Sequence, residues 1–281
     1  MTDSSASVSD KRRAFRTLHE RGCFVLPNPW DLGSARYLAT LGFSALATTS
    51  SGFAWSHGRP DNGVTLDSVL DHLREMVRAT DLPINADFEG GFAHAPADVA
   101  RNVRLACETG VAGLSIEDAT GEADRPLYTL AEAVARMRAA RAAIDACGGE
   151  VMLVGRAECF LVGRPDLAET VARLRAYADA GADCLYSPGI KTPEEIAAVV
   201  AAVSPKPVNL LVGWASPLTV SDIAALGVRR ISVGGAMART AWGGFMNAAR
   251  GLAEKGSFDG FAQAASGQTL NELFRVPSPA G

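Results

Sequence analysis

A closed (β/α)8 barrel is the fold this sequence predicts, and three observations predict it. Eight short apolar runs alternate with longer segments whose apolar residues recur at the helical period of 3.6. Several of those segments end in a Gly that opens the next run, as in LATLGFSAL, CETGVAGLSI, ADAGADCLY and AALGVRRISV. Gly supplies the left-handed turn that ends a helix at little cost. The length, 281 residues, falls in the range such barrels occupy as one domain. A doubly wound open sheet shares the local pattern, but the count of eight favours the barrel.

In chain order, a polar tail over about 1–8 precedes a helix near 9–21. Strands are expected at 23–27, 45–48, 83–87, 113–117, 151–156, 184–186, 207–212 and 229–233. The helices between them are clearest in AEAVARMRAARAAIDA, DLAETVARLRAYADA and PEEIAAVVAAV. Thr129 before Glu132, and Thr192 followed by Pro193, are start signals. From Ala236 to about Phe274 the chain exceeds one closing helix and breaks at Gly256 and Ser257. That extension is expected to cap the barrel or to pack on a partner subunit. No linker or change of composition divides the chain, so residues 1–281 read as one domain.

With 48% hydrophobic and 21% charged residues the composition is globular, and the chain is long enough to bury a large core. A net charge of -4 without a basic cluster gives no electrostatic reason to expect nucleic acid. Charges interrupt every apolar run well before the roughly 20 residues a membrane span needs. The start, MTDSSASVSDKRR, lacks an apolar signal core, so the expected location is the cytoplasm. Five widely spaced cysteines without a CxxC pair read as reduced, and no Cys/His spacing suggests structural zinc.

A barrel active site lies at the carboxyl ends of its strands. Those ends carry Asn28 and Asp31, Ser50 and Ser51, Asp87 and Glu89, Glu117 and Asp118, Arg156 and Glu158, Ser187, and Asn209. Loops are polar anyway, yet acids on adjacent strands form a pattern. In ADFEGGF, Asp87 and Glu89 are two apart and share one face if the strand continues through them. With Glu117 they make three carboxylates that would repel one another without a cation. Oxygen ligation of this kind suits Mg2+ or Mn2+. The structural alternative is that Asp87 or Glu117 caps a helix or pairs with Arg. Gly90 and Gly91 would let the backbone turn sharply beside such an ion. Arg156 offers a planar fork for a substrate carboxylate or developing enolate oxygen, or else an inner ion pair with Glu158 or Glu117. Ser50, Ser51 and Gly52 offer hydroxyls and close-approach N–H groups for an anion.

The motifs NPWDLGSAR, TTSSGF, ADFEGGF, SIED, GRAE and VNLLVG, in that order, resemble the isocitrate lyase and phosphoenolpyruvate mutase superfamily over residues 20 to 250. The resemblance implies a (β/α)8 barrel, a Mg2+ requirement, and a homo-oligomer, dimer or tetramer, whose last helix is often swapped between subunits. By position it implies that Asp87, Glu89 and Glu117 serve the metal, directly or through water. It also implies that Ser51 and Gly52 hold a substrate carboxylate, that Arg156 is the strand-five arginine, and that Asn209 touches substrate from strand seven. Asp61, in GRPDNG, would lie near the reacting group. The chain departs from the family's lyases at DATGEADRPLYTL, which lacks their loop cysteine and histidine, and lacks as well the lysine and asparagine of the phosphonate enzymes. On the sixth strand YSPG offers Ser187 where many lyases have an acid.

What the resemblance leaves is Mg2+-dependent cleavage of a carbon–carbon bond in a small 2-oxo or 2-hydroxy acid through a metal-stabilised enolate, of oxaloacetate-decarboxylase or dimethylmalate-lyase type. A decarboxylase needs no loop nucleophile. The alternatives are a phosphonopyruvate mutase or hydrolase, and a non-catalytic 2-oxo-acid-binding protein. Any proton donor on the loop would be Glu122, Asp124 or Tyr128, each of which reads equally as a solvated loop residue. His57 reads as an exposed loop residue.

Overall fold

The computed structural model describes residues 6–275. Ser7 opens the first helix, α1 (Val8–Leu18), by accepting the Asp10 N–H at 3.1 Å. The polar tail therefore ends earlier than predicted, and residues 1–5 lie outside the described residues. The eight strands are β1 (Phe24–Leu26), β2 (Leu46–Ala47), β3 (Ile84–Asp87), β4 (Gly113–Glu117), β5 (Met152–Arg156), β6 (Cys184–Tyr186), β7 (Val208–Leu211) and β8 (Arg230–Ser232). All fall within the predicted runs, β4 and β6 with the same bounds and the others trimmed by a residue or two.

Every neighbouring pair is parallel, in the order β1-β8-β7-β6-β5-β4-β3-β2. Between β1 and β2 the Ala47 N–H donates to the Pro27 carbonyl at 3.0 Å. Asn28 reinforces that seam. Its Nδ2 donates to the Thr48 carbonyl at 2.9 Å, and its Oδ1 accepts from Val233 and Gly234 N–H, each at 2.9 Å. One buried amide thus ties β1 to both neighbours, a structural task for a residue that sequence reasoning placed at the site.

The outer helices are α2 (Leu32–Thr40), α4 (Leu66–Ala79), α5 (Pro96–Glu108), α6 (Leu130–Ala146), α7 (Leu167–Asp179), α8 (Pro193–Val203) and α9 (Val220–Ala225), with a short α3 (Ser50–Ser56) after β2. The predicted starts at Thr129 and Thr192 are reciprocal caps, in which the threonine accepts from Glu132 or Glu195 N–H and that glutamate accepts from the threonine N–H. The amino ends of the strands are closed by α1, whose Phe15 packs with Leu26, Ala45, Ala47, Ala112 and Met152.

The closing helix α10 (Ala236–Lys255) ends at Gly256, where the break was predicted, and α11 (Gly267–Phe274) follows. Phe274 of α11 lies against Gly33 of α2. Along α10 only Ala238 is buried, while Trp242, Phe245, Met246 and Leu252 are exposed. Among the described residues no helix is long and apolar enough to cross a membrane.

Candidate active site

A cavity of about 170 Å³ opens among the carboxyl ends of the strands. That is below the roughly 300–1,000 Å³ of drug-sized ligand sites and suits a short acid. Inward-facing positions two apart line it: Asn85 and Asp87 on β3, Asn209 and Leu211 on β7, Arg230 and Ser232 on β8. Ser50, Ser51, Asp61, Arg156 and Tyr186 complete the walls used below.

Arg156 organises the mouth. Its Nη1 lies 3.1 Å from both Asp87 Oδ1 and Glu117 Oε2, and its Nε donates to Glu158. Of the two sequence readings for Arg156, the inner ion pair is present, with three acids rather than one. Glu158 is buried, and Arg156, Asp87 and Glu117 are partly buried around it. Burial opposes the guanidinium charge, but Glu117 and Glu158 outweigh it and hold Arg156 protonated. Burial in turn raises the Glu117 and Glu158 carboxyls, against the attraction of Arg156.

The acids are not gathered as the sequence suggested. Strand β3 ends at Asp87, and Glu89 has φ 47, so the alternation breaks between them. Asp87 faces the central cavity, whereas Glu89 and Glu117 line an adjoining cavity with Gly90, Phe92, His94, Tyr128 and Arg136. Among the described residues no three acids, histidines or cysteines converge as a ready ligand set. The repulsion that pointed to a cation is met by Arg156. A hydrated divalent ion still fits the donors on two grounds. Mg2+ keeps several waters and needs only one or two carboxylates. Glu89 Oε1 is buried without a hydrogen-bond partner, and burial, with Asp87 and Asp61 nearby, pushes this carboxyl up to about 8.

Asp87 Oδ2 accepts from both the N–H and the Oγ of Ser50, each at 3.0 Å. Asp61 reaches the same serine, with Ser50 Oγ at 3.4 Å, and burial followed by Asp87 raises its carboxyl. Ser51 Oγ is 3.1 Å from Thr49 Oγ1 at the cavity wall. Gly52 does not join them. It packs so closely that a Cβ would sit 2.8 Å from Trp30 Cβ, and its N–H turns to Thr49 Oγ1, the helix cap. Asn209 lines the cavity, donating to Ser232 Oγ at 2.9 Å and accepting from Arg230 Nε at 2.8 Å, so it sets Arg230 from the wall where a substrate contact is expected.

Other strand-end residues face elsewhere. Asp118 accepts from Glu158 N–H, Arg173 Nη1 and the Tyr177 hydroxyl, a buried brace to α7. Asp31 caps α2 and His57 caps α3. Ser187 is buried away from the cavity that Tyr186 faces. Glu122 and Asp124 are exposed, while Tyr128 hydrogen-bonds His94 Nδ1 at 2.5 Å. Sequence reasoning missed Tyr186, Asn85 and Arg230. Period-two alternation through Cys184 and Tyr186, or Arg230 and Ser232, was the available signal.

Barrel and mouth together define a (β/α)8-barrel protein with a small ionisable pocket at the strand ends, where barrel enzymes keep their chemistry. The chain belongs to the phosphoenolpyruvate mutase and isocitrate lyase superfamily, since the phosphoenolpyruvate phosphomutase family model matches residues 15–253. A Burkholderia cenocepacia J2315 crystal structure, described only provisionally as a lyase/mutase, is 48% identical, with TM-score 0.94 over 98% of this chain and 99% of that one. Oxaloacetate decarboxylase of Bradyrhizobium sp. (strain BTAi1) is 32% identical over 79% of this chain and 77% of its own length. Oxaloacetate acetylhydrolase in complex with oxalate is 28% identical, with TM-score 0.85 and 96% coverage of both chains.

Proposed function

We propose that this protein is a Mg2+-dependent carbon–carbon lyase for a small 2-oxo or 2-hydroxy acid, of oxaloacetate-decarboxylase or dimethylmalate-lyase type. The observation that carries the reading is the mouth itself, one guanidinium held among Asp87, Glu117 and Glu158 beside the unpartnered Glu89 carboxyl. Asp87, Glu89 and Glu117 would hold the ion, directly or through water. When bound, Mg2+ supplies Lewis-acid polarisation of the substrate's carboxylate and carbonyl oxygens.

The chain's own residues do the rest. Arg156 Nη2 has no protein acceptor among the described residues, so it is left to meet oxygen charge that develops as the bond breaks. Ser51 offers its hydroxyl to the substrate carboxylate. Burial raises the Asp61 and Glu117 carboxyls, which makes them the candidate proton carriers beside the reacting atoms. The likeness to an oxaloacetate decarboxylase and an oxaloacetate acetylhydrolase supports carbon–carbon cleavage.

A time course followed by carbon and phosphorus NMR tests the reaction class, using oxaloacetate, dimethylmalate, methylisocitrate and phosphonopyruvate, each with an EDTA control. Mg2+-dependent cleavage of a carbon acid is expected. Release of phosphate or phosphoenolpyruvate from phosphonopyruvate would replace this reading with carbon–phosphorus chemistry, and binding without turnover would replace it with a sensor of such acids.

The exposed apolar face of α10 supports a homo-oligomer, dimer or tetramer, that buries Trp242, Phe245 and Met246. Light scattering should give a multiple of the 29.3 kDa chain, reduced to one chain by Trp242→Asp with Phe245→Asp. A native mass of 29.3 kDa would refute it.

A further inference from the structure

Arg230 lies at the floor of the central cavity and is 2% exposed. Its partners are all neutral. Nε donates to Asn209 Oδ1 at 2.8 Å, and Nη1 reaches Asn85 Oδ1 at 3.3 Å and His19 Nε2 at 3.4 Å. His19 stays neutral beside it, because burial first and Arg230 second push its pKa down to about 3. Its Nδ1 then donates to the Phe15 carbonyl at 2.8 Å and its Nε2 is an acceptor. Room for this arrangement comes from Gly113 on the neighbouring strand, where a Cβ would lie 2.7 Å from Asn85 Oδ1 and 2.8 Å from Phe15 Cε1.

Other buried arginines are compensated. Arg156 has three carboxylates, and Arg173 has Asp118 and Glu169. Arg136 also lacks a carboxylate but directs its guanidinium to the carbonyls of Gly90, Ala93 and His94. Arg230 makes no ion pair among the described residues, and its Nη2 makes no hydrogen bond there. A buried cation held only by neutral groups carries a desolvation cost they repay in part. Unlike a purely structural arginine, this one borders free space. The two ends of the cavity therefore differ: the guanidinium at the mouth is paired with Asp87, Glu117 and Glu158, and the one at the floor has no carboxylate partner among the described residues. Asn85 and Asp87 mark the two levels, roughly 7 Å apart for two residues of strand.

We propose that Arg230, set by Asn209, Asn85 and His19, is an anion subsite that takes the second carboxylate of a dicarboxylic acid whose other end lies at the mouth. The proposal rests on the reading of this cavity as a site for a small acid of the oxaloacetate or dimethylmalate type, and adds which residue takes its second carboxylate. The guanidinium at the mouth is already paired with three carboxylates, so the cation left for a second carboxylate in this cavity is the one at the floor. The planar fork matches a carboxylate, and Asn209 and Asn85 fix its plane.

Calorimetric titration of the full-length protein with Mg2+ tests this with malate and 2-hydroxybutyrate, two four-carbon 2-hydroxy acids that differ by the second carboxylate. The wild type should bind malate roughly 10- to 100-fold more tightly, the range of a charge-assisted hydrogen bond. Arg230→Gln should bring malate to the affinity of 2-hydroxybutyrate and leave the latter within about twofold. Arg230→Lys should restore part of the preference. A wild type that binds both acids equally, or does not bind malate, overturns the proposal whatever the variants do. So does an equal loss for both acids in an Arg230→Gln protein with wild-type melting. These titrations need no turnover, so failure of the lyase reading and failure of the floor subsite are separately visible.

Discussion

Asp87→Ala should lower Mg2+-dependent turnover by roughly 10³-fold, the scale for losing a principal electrostatic contact at a reacting centre, while the barrel stays folded. Asp87 is the one acid that faces the central cavity from β3 and also touches Arg156, so it links the cavity to the metal-holding acids proposed beside it. Its loss deprives the Ser50 N–H of its acceptor, which costs about 1–3 kcal/mol if water does not replace it, while Ser50 Oγ keeps Asp61 within reach. That is a fraction of the stability of an ordinary domain. Steady-state kinetics beside a thermal melt separate the two effects. Ser50→Ala is the control, since it removes one donor to Asp87 and leaves the carboxylate in place. Turnover within twofold of wild type in Asp87→Ala would remove Asp87 from the metal assignment.

The barrel was legible because its signal is repeated. Eight runs, six of them trimmed by a residue or two, still read as eight, and Gly at helix ends and Thr at helix starts have local physical causes that survive in the structure. The direction of single side chains was less legible. Asp87 and Glu89 appear to share a face only while the strand is assumed to continue, and the positive φ at Glu89 ends that assumption. Asn209 lines the cavity where a substrate contact is expected, and its bonds to Ser232 and Arg230 come from another strand that its local sequence does not announce. Arg230 follows another arginine, and only its period-two alternation with Ser232 across a three-residue strand marks which of the two enters the barrel. Gly52 offered a backbone for an anion, whereas its lack of a side chain is used against Trp30 and Ala238, residues distant in sequence. In the sequence, three gathered carboxylates call for a cation, with pairing of Asp87 or Glu117 to Arg as the alternative. Once Arg156 lies among them, the case for the ion rests on Glu89.

Glu89 also makes the ion testable without a substrate. Its carboxyl is pushed from an ordinary value of 4.5 up to about 8, chiefly by burial. The folded, metal-free protein then binds a proton that the unfolded chain has lost, so stability falls as pH rises from about 4.5 to about 8 and levels above that. This is opposite in sign to the usual carboxylate, whose lowered pKa adds stability above the unfolded value. Glu117, raised by burial, acts in the same direction. For one such group the loss amounts to roughly 3 kcal/mol by pH 7, on the order of 5–10 °C in melting temperature. A divalent cation replaces the proton, so stabilisation by Mg2+ should be small near pH 5 and grow through pH 8. Melting curves with EDTA and with Mg2+ across that range read both slopes, and Glu89→Gln should flatten the EDTA slope and blunt the response to Mg2+. If Mg2+ shifts the melt equally at pH 5 and pH 8, or if Glu89→Gln leaves both slopes unchanged, Glu89 is not the group that exchanges its proton for the ion.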